Sequence, residues 1–162
     1  MLDFFDVSGV DDFRVFISFI SLLLIVTGWI VVNSQNNKRE FRKELRSAVD
    51  EVIVQVLEIT ENGVEYHAGK KDRSLEAKIV LSFKSLNRRV DRLPFSSNEK
   101  ESLKYHLRGH KKSITGVNSF GNNKATASTP NYYTIEIAGI LNARDDLLDE
   151  IERAFRYKCS VL

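Results

Sequence analysis

The hydrophobic pattern of the chain begins with an uninterrupted apolar run from Val15 to Val32. These eighteen residues contain no charge and no proline. At about 1.5 Å of rise per residue, a helix of this length covers most of a bilayer core about 30 Å thick. A buried helix of a soluble domain is the competing interpretation, but such helices seldom extend so far without a polar face. The run therefore predicts a transmembrane helix over residues 13–33.

A cleaved secretory signal is a second competing interpretation of this run. Such signals begin with basic residues, contain a shorter apolar stretch and place small residues before the cleavage site. The first twelve residues instead hold four aspartates and no Lys or Arg, and no Ala-x-Ala pattern follows Val32. We expect the run to be retained as an anchor.

Basic residues predict the orientation of the anchor. Five Lys or Arg lie between residues 38 and 46, just after the run, whereas Arg14 alone precedes it. Lys and Arg close to a span remain on the cytoplasmic side far more often than they are translocated. Residues 1–12 are thus predicted to be a short extracytoplasmic tail and residues 34–162 a cytoplasmic domain. The predicted location is the cell membrane, inner or plasma.

Apolar residues then recur at helical spacing from Leu45 to Ile59. Their steps alternate between four and three residues over about two and a half heptads, which predicts a helix over residues 36–59. The stripe can form a seam between two copies or one face of a core, and packing within the chain is the favoured alternative. Small residues on one face of the anchor also favour self-association. The candidate self-association residues are Ser18, Ser21, Gly28, Leu45, Val49, Val52 and Val56.

Three further amphipathic helices follow in the sequence. The first is predicted over residues 72–93 and ends before Pro94. The second begins with a capping-box pattern at residues 96–99 and ends near residue 112, with an apolar face so thin that we expect the helix on the surface. The third is predicted over residues 133–158. Its acidic side chains, expected to be exposed, are Asp145, Asp146, Asp149, Glu150 and Glu152.

Together these elements predict a mainly α fold, in which a single N-terminal transmembrane helix continues into a small cytoplasmic helical bundle. Residues 115–131 are rich in Gly, Ser, Thr and Asn, which predicts a flexible loop. The alternative is an α+β cytoplasmic domain, because residues 52–60 and 132–137 are rich in β-branched residues. In that fold a short hairpin would lie near residues 52–66.

The charge of the chain is segregated, although the net value is only +2. Residues 84–112 contain nine Lys or Arg and three acids, a net charge of +6. Near a membrane such a surface can bind another protein or anionic lipid, while the few aromatic residues make nucleic acid a weaker expectation. An ordinary solvated helix face is the competing interpretation. The candidate residues for binding a partner or an anionic surface are Lys84, Arg88, Arg89, Arg92, Lys104, Arg108, Lys111 and Lys112.

Candidate catalytic and cofactor motifs are incomplete. His106 and His110 have the spacing of two metal ligands on a helix, but no third ligand is near them and solvated surface histidines are the favoured interpretation. His67 is expected in a loop without a partner. Gly116 and Gly121 have the spacing of a phosphate-binding loop, without the Lys that should follow. We predict no catalytic residue, no metal and no cofactor, and a protein that is not an enzyme.

The single cysteine, Cys159, excludes an intramolecular disulfide and suits a reducing cytoplasm. The final residues, Cys-Ser-Val-Leu, also fit a prenylation box. That pattern is short and permissive, and a chain that already spans the membrane gains little from a lipid. The favoured interpretation is a helix that ends there.

These features predict a single-pass, membrane-anchored cytoplasmic interaction or regulatory module. It would recruit or regulate another protein at the membrane, alone or as a homo-oligomer. The alternative is a membrane-active effector of the toxin or abortive-infection type, which oligomerises on a cytoplasmic trigger and perturbs the membrane. A single short span without charged lining residues makes a poor pore, so the effector would require several copies.

Overall fold

The structure is a computed structural model, and it describes residues 8–69, 72–116, 120 and 130–161. All regular structure within these ranges is α-helical, so the predicted mainly α fold is confirmed there. The α+β alternative is wrong for residues 52–60 and 132–137, which lie inside helices. The four helices are α1 (Ser8–His67), α2 (Arg73–Arg92), α3 (Ser97–Thr115) and α4 (Pro130–Val161).

The β-branched segment at residues 52–59 is helical because its buried positions follow the helical period. Val52, Val56 and Ile59 are buried, at steps of four and three residues. A half-buried strand would also bury Val54, which is 64% exposed. Packing of one apolar face therefore outweighs the strand propensity of the individual residues.

The chain divides into two compact units, residues 1–42 and residues 43–162. In the first unit, the side chains from Arg14 to Glu40 are all exposed. The large apolar side chains between Val15 and Val32 have exposed fractions from 40% to 69%. By length and composition, α1 is the one helix within the described ranges that could cross a membrane.

The second unit is a four-helix bundle formed by residues 43–67 of α1 together with α2, α3 and α4. Toward α2, Gln55 Nε2 donates a hydrogen bond to the carbonyl oxygen of Ser82 at 3.1 Å. Toward α4, Arg46 Nη1 donates to Glu152 Oε1 at 2.8 Å. Because α1 runs from Ser8 to His67, the helix predicted over residues 36–59 is part of a longer helix.

Polar contacts between the helices give their directions. Arg89 of α2 binds Glu51 of α1 at 2.6 Å, whereas Lys78 binds Glu58 at 3.1 Å, so later residues of α2 contact earlier residues of α1. The helices α1 and α2 are therefore antiparallel. The same reversal between α2 and α3 is given by the contacts Lys104–Asp91 and Phe83–His110. Between α3 and α4 it is given by the interactions Ser102–Glu150 and His110–Arg144. The bundle has up-down-up-down topology.

Each helix contributes one apolar stripe to the core. The stripe from Leu45 to Ile59 is at most 2% exposed within this single chain. Its four candidate self-association residues, Leu45, Val49, Val52 and Val56, are therefore core residues of the single chain. The remaining helices bury Ile79, Phe83, Leu86, Val90, Leu103, Leu107, Ile114, Ile140, Leu147, Ile151 and Ala154.

The expectation that α3 lies on the surface with a thin apolar face is wrong. Leu103, Leu107 and Ile114 are at most 5% exposed, and His110 is fully buried between them. The four positions are separated by steps of four, three and four residues, which form one helical face. The face looked thin in the sequence because one of its core positions is a histidine.

The helix ends agree with the predicted capping signals. The Ser96 hydroxyl accepts from the Glu99 N–H, and the Glu99 carboxylate accepts from the Ser96 N–H at 2.6 Å, completing the capping box. At the start of α2, hydrogen bonds from Ser74 hold the pKa of the Asp72 carboxyl below its ordinary value. The helices α3 and α4 both extend beyond the predicted bounds. Most of the loop predicted at residues 115–131 lies outside the described residues.

Gly63 of α1 packs closely against Ile114 of α3. A Cβ atom at Gly63 would lie 2.8 Å from Ile114 Cδ1 and 3.1 Å from its Cγ2. The side chain of Ile114 is fully buried and β-branched, so it has little freedom to turn away. We expect Gly63→Ala to lower the free energy of unfolding by about 1–2 kcal/mol, because overpacking exceeds the gain in helix propensity.

Gly109→Ala is the matched control for this substitution. Gly109 lies within α3, and a Cβ atom there would have no neighbour within 4 Å. We expect it to stabilise the bundle by about 0.5–1 kcal/mol through helix propensity alone. Chemical denaturation of the full chain measures both variants, and equal stabilisation by the two would contradict the close packing at Gly63.

Candidate functional site

The basic residues predicted to bind a partner separate into two groups in the structure. Arg89 binds Glu51 at 2.6 Å and Lys104 binds Asp91 at 2.6 Å, so their charges are compensated within the chain. Within the described ranges no carboxylate pairs with the other six, all of which are exposed. We call these the unpaired basic face: Lys84, Arg88, Arg92, Arg108, Lys111 and Lys112.

The unpaired basic face arises from the amphipathic pattern of α2 and α3. Both helices place their apolar stripes toward the core, which leaves Lys and Arg on the opposite surfaces. Because the two helices are adjacent and antiparallel, Lys84 of α2 and Arg108 and Lys111 of α3 line the same groove. The structure thus joins on one surface basic residues that are more than twenty positions apart in the sequence.

The groove between α2 and α3 has a volume of about 370 Å³. Val80, Phe83 and Leu107 supply apolar surface, and most of its exposed area is apolar. Its polar lining consists of Asn87, Lys84, Arg108 and Lys111. An apolar groove with a cationic rim is chemically suited to a ligand that combines apolar groups with negative charge.

A larger groove, of about 800 Å³, lies between α1 and α2, but all of its charged lining residues except Lys43 form ion pairs. Arg46 binds Asp50 at 3.0 Å and also Glu152, and Arg89 binds Glu51. An open groove with compensated charges offers little electrostatic selectivity for a partner. We therefore place the candidate site at the smaller groove.

The acidic residues of α4 are less exposed than predicted. Glu150 is buried, and Arg153 donates two hydrogen bonds to its carboxylate at 2.6 and 2.7 Å. These bonds, followed by one from Ser102, hold the pKa of Glu150 below its ordinary value. Glu152 is half-buried and pairs with Arg46 at 2.8 Å. The expectation that both glutamates are exposed is wrong, because Arg153 binds Glu150 and Arg46 binds Glu152 at the surface of the bundle.

The buried histidine His110 is the main departure from the predicted histidine chemistry. Thr60 Oγ1 donates to the Val56 carbonyl at 2.8 Å, so the same oxygen can accept the bond from His110 Nε2 at 3.2 Å. The opposite ring nitrogen, Nδ1, has no partner within the described part of the chain. Burial, with a smaller contribution from Arg144, lowers the pKa of His110 to about 4.

The other two histidines, His67 and His106, lie in different environments. His67 is the last residue of α1 and not a loop residue, and it is 1% exposed. Its Nε2 donates to the Ile114 carbonyl at 2.9 Å, and its Nδ1 lies 3.6 Å from Glu136 Oε2. His106 is half-buried and packs edge-on against Tyr105. The prediction of surface histidines at positions 106 and 110 is therefore wrong for His110.

The signal for a buried histidine was present in the sequence. His110 occupies a core position in the series Leu103, Leu107, His110 and Ile114, whereas His106 does not. Because histidine is a polar residue type, it does not count toward the apolar pattern of the sequence. Within the described ranges no three His, Cys, Asp or Glu side chains group closely enough to hold a metal ion.

The candidate self-association residues of the apolar run are exposed on α1. Ser18 and Ser21 donate their hydroxyls to the carbonyls of Arg14 and Ile17, each at 2.9 Å, and a Cβ atom at Gly28 would have no neighbour within 4 Å. A role of these residues in self-association stays a prediction. Cys159 is half-buried in α4, and Leu162 lies outside the described residues.

Compared with protein-family models, with curated proteins and with solved structures, the chain shows no match to any of them.

Proposed function

We propose that the protein is a single-pass membrane protein whose helical bundle recruits or regulates another protein at the cytoplasmic surface of the membrane. One observation carries the proposal. The bundle buries its own apolar stripes, while the apolar run from Val15 to Val32 remains exposed along its whole length. A hydrocarbon environment would cover this run without any protein partner.

The interaction role rests on the charge distribution of the bundle. Ion pairs compensate most charged residues of the groove between α1 and α2, whereas the six residues of the unpaired basic face have no carboxylate partner in the described ranges. Uncompensated charge on one surface attracts an acidic partner and speeds its association. Five Lys or Arg at residues 38–46 favour a cytoplasmic position for the bundle, where such a partner would be met.

Cysteine labelling in intact cells tests the proposed topology. In a Cys159→Ser background, a membrane-impermeant maleimide should label a Ser8→Cys variant directly and a Ser47→Cys variant only after permeabilisation. Ser47 is exposed on α1 within the bundle unit. Labelling of Ser47→Cys in intact cells would contradict the proposed orientation. Equal labelling of both variants in a soluble extract would contradict the anchor.

A membrane-potential dye separates the proposed module from a membrane-active effector. Induced expression of the full chain should leave the membrane potential at the value measured in cells that express Leu23→Arg, Leu24→Arg, a double variant that is expected not to insert into the membrane. Rapid depolarisation by the wild-type chain alone would support the effector instead, because only inserted spans can form a conducting assembly.

A further inference from the structure

The seam between α2 and α3 has two ends of opposite character. At one end, Lys104 Nζ forms an ion pair with the Asp91 carboxylate at 2.6 Å, and Lys100 Nζ donates a hydrogen bond to the backbone carbonyl oxygen of Asp91 at 2.8 Å. This end satisfies its own charge. At the other end, Lys84, Arg108 and Lys111 line the groove without a carboxylate partner in the described part of the chain. The positive charge at the second end is therefore uncompensated, and we call this end the open half of the seam.

The apolar part of this open half is accessible from the surface. Val80 is 46% exposed, although it lies beside the buried side chains of Phe83 and Leu107. An apolar side chain of a partner could cover Val80 and contact the edge of the core without any rearrangement of the helices. Apolar contact at the centre with charge at the rim is the usual anatomy of a protein interface.

The length of the groove limits its occupant. Along α2 the lining extends from Val80 to Asn87, which at about 1.5 Å per residue corresponds to about 10 Å. About two turns of a helix fit this length, with apolar side chains three or four residues apart directed into the groove. Carboxylates that flank those side chains would reach the three cations on the rim.

From these observations we propose that the groove between α2 and α3 binds an acidic amphipathic helix of a partner protein. The proposal rests on the proposed interaction function and specifies its partner class. A bilayer surface would meet the exposed outer cations of the unpaired basic face as readily as those of the recessed groove. Single-stranded nucleic acid binds through stacked aromatic rings, and the one aromatic ring among the described residues that line this groove, Phe83, is buried. The recessed apolar floor therefore favours a protein helix.

A defined peptide pair tests the groove on the full chain in nanodiscs of zwitterionic phosphatidylcholine. The probe is a fluorescent amphipathic helical peptide of about 16 residues, with Leu at i, i+3, i+4 and i+7 and Glu beside them. In the second peptide Gln replaces every Glu. Fluorescence anisotropy should show that the Glu peptide binds at least about tenfold more tightly than the Gln peptide, because charge pairs at the rim are lost in the latter.

Charge reversal with a matched control locates the binding. The triple variant Lys84→Glu, Arg108→Glu, Lys111→Glu should weaken binding of the Glu peptide at least about tenfold. Arg88→Glu, Arg92→Glu, Lys112→Glu changes the net charge equally but affects residues that do not line the groove, and should change the affinity less than about threefold. Equal losses in both variants would overturn the proposal in favour of a general charge effect.

A second pair of variants tests the apolar floor without altering charge. Val80→Ser should weaken peptide binding about threefold to tenfold, whereas Leu81→Ser should leave it unchanged. Leu81 is the neighbouring apolar residue, is 65% exposed and does not line the groove. Equal affinities of the two variants would overturn the proposed contact with Val80. Circular dichroism of each variant checks that the helices remain folded.

Vesicles containing phosphatidylglycerol and a single-stranded RNA oligonucleotide serve as competing probes. Tight binding of either one that requires Lys84, Arg108 and Lys111, with no saturable binding of the Glu peptide, would overturn the proposal. The proposed membrane anchor is tested independently of the groove. A chain that does not co-elute with nanodiscs would contradict the anchor, whether or not the chain binds the peptide. A chain that co-elutes but binds no peptide contradicts the groove proposal alone.

Discussion

Substituting Leu23 and Leu24 by arginine is expected to abolish membrane insertion of the chain. Both residues lie near the middle of the apolar run and are exposed on α1, at 49% and 68%. Each arginine at the centre of a span costs about 2.5–3.5 kcal/mol on insertion scales, so two cost about 5–7 kcal/mol. Sedimentation after alkaline carbonate treatment should find the wild-type chain in the membrane pellet and the double variant in the supernatant or in detergent-insoluble aggregates.

Val54→Arg, Leu81→Arg is the matched control for this experiment. These apolar residues of the bundle are 64% and 65% exposed, close to the exposure of the substituted positions in the run. The control adds the same charge to the chain and should still sediment with the membrane. Retention of Leu23→Arg, Leu24→Arg in the carbonate-resistant membrane fraction would contradict the proposed span.

Acidification from pH 7 to pH 4 should remove about 3 kcal/mol of the stability of the bundle through His110 alone. In the unfolded chain a histidine binds its proton near pH 6.5, whereas burial lowers the pKa of His110 in the folded chain to about 4. Between these values the unfolded state binds more protons, so the free energy of unfolding rises with pH. This contribution is fully present above pH 6.5 and is lost as the pH falls toward 4.

The surroundings of His110 explain why protonation there is costly. Thr60 of α1 accepts from its Nε2, the ring of Phe83 of α2 packs edge-on at 5.7 Å between centroids, and Arg144 of α4 adds positive charge. A second proton on Nδ1 would create a buried donor, and that nitrogen has no partner in the part of the chain described. Hence no acceptor among the described neighbours would stabilise a proton on Nδ1.

His110→Gln isolates this effect because glutamine can donate to Thr60 but does not titrate. Urea unfolding of the full chain at several pH values should give a shallower pH dependence for this variant than for the wild-type chain between pH 4 and 6.5. His106→Gln, at a half-buried position on the same helix, should retain the wild-type dependence. Identical curves for His110→Gln and the wild-type chain would contradict the inferred protonation of His110.

The helices could largely be predicted from local patterns in the sequence. The capping box at Ser96 and Glu99 and the cap at Asp72 follow from side chains that bond to backbone groups a few residues away. Neither requires knowledge of the rest of the fold. The bounds of α3 and α4 were less accurate, because packing extends helices past residues with weak local signals.

Burial at individual positions was harder to predict, since it depends on neighbours that are distant in the sequence. The sequence pattern predicts that Glu150 and Glu152 are exposed on α4. In the structure, however, Arg153 binds Glu150 and Arg46 binds Glu152. The same limitation applies to the basic residues. Only the tertiary structure distinguishes Arg89 and Lys104 from the unpaired basic residues, because it shows that Arg89 binds Glu51 and that Lys104 binds Asp91.

The sequence by itself determined the helical character of the chain, the capping signals and the apolar run, because these depend on residue type and on spacing within one or two turns. The tertiary structure alone decided the packing of the Leu45–Ile59 stripe within the chain, the burial of His110 and the pairing of α2 with α3 into a groove. Each of these outcomes depends on contacts between helices separated in the sequence. Local periodicity specifies which face of a helix is apolar, and the packing of the other helices specifies what covers that face and which charges remain uncovered.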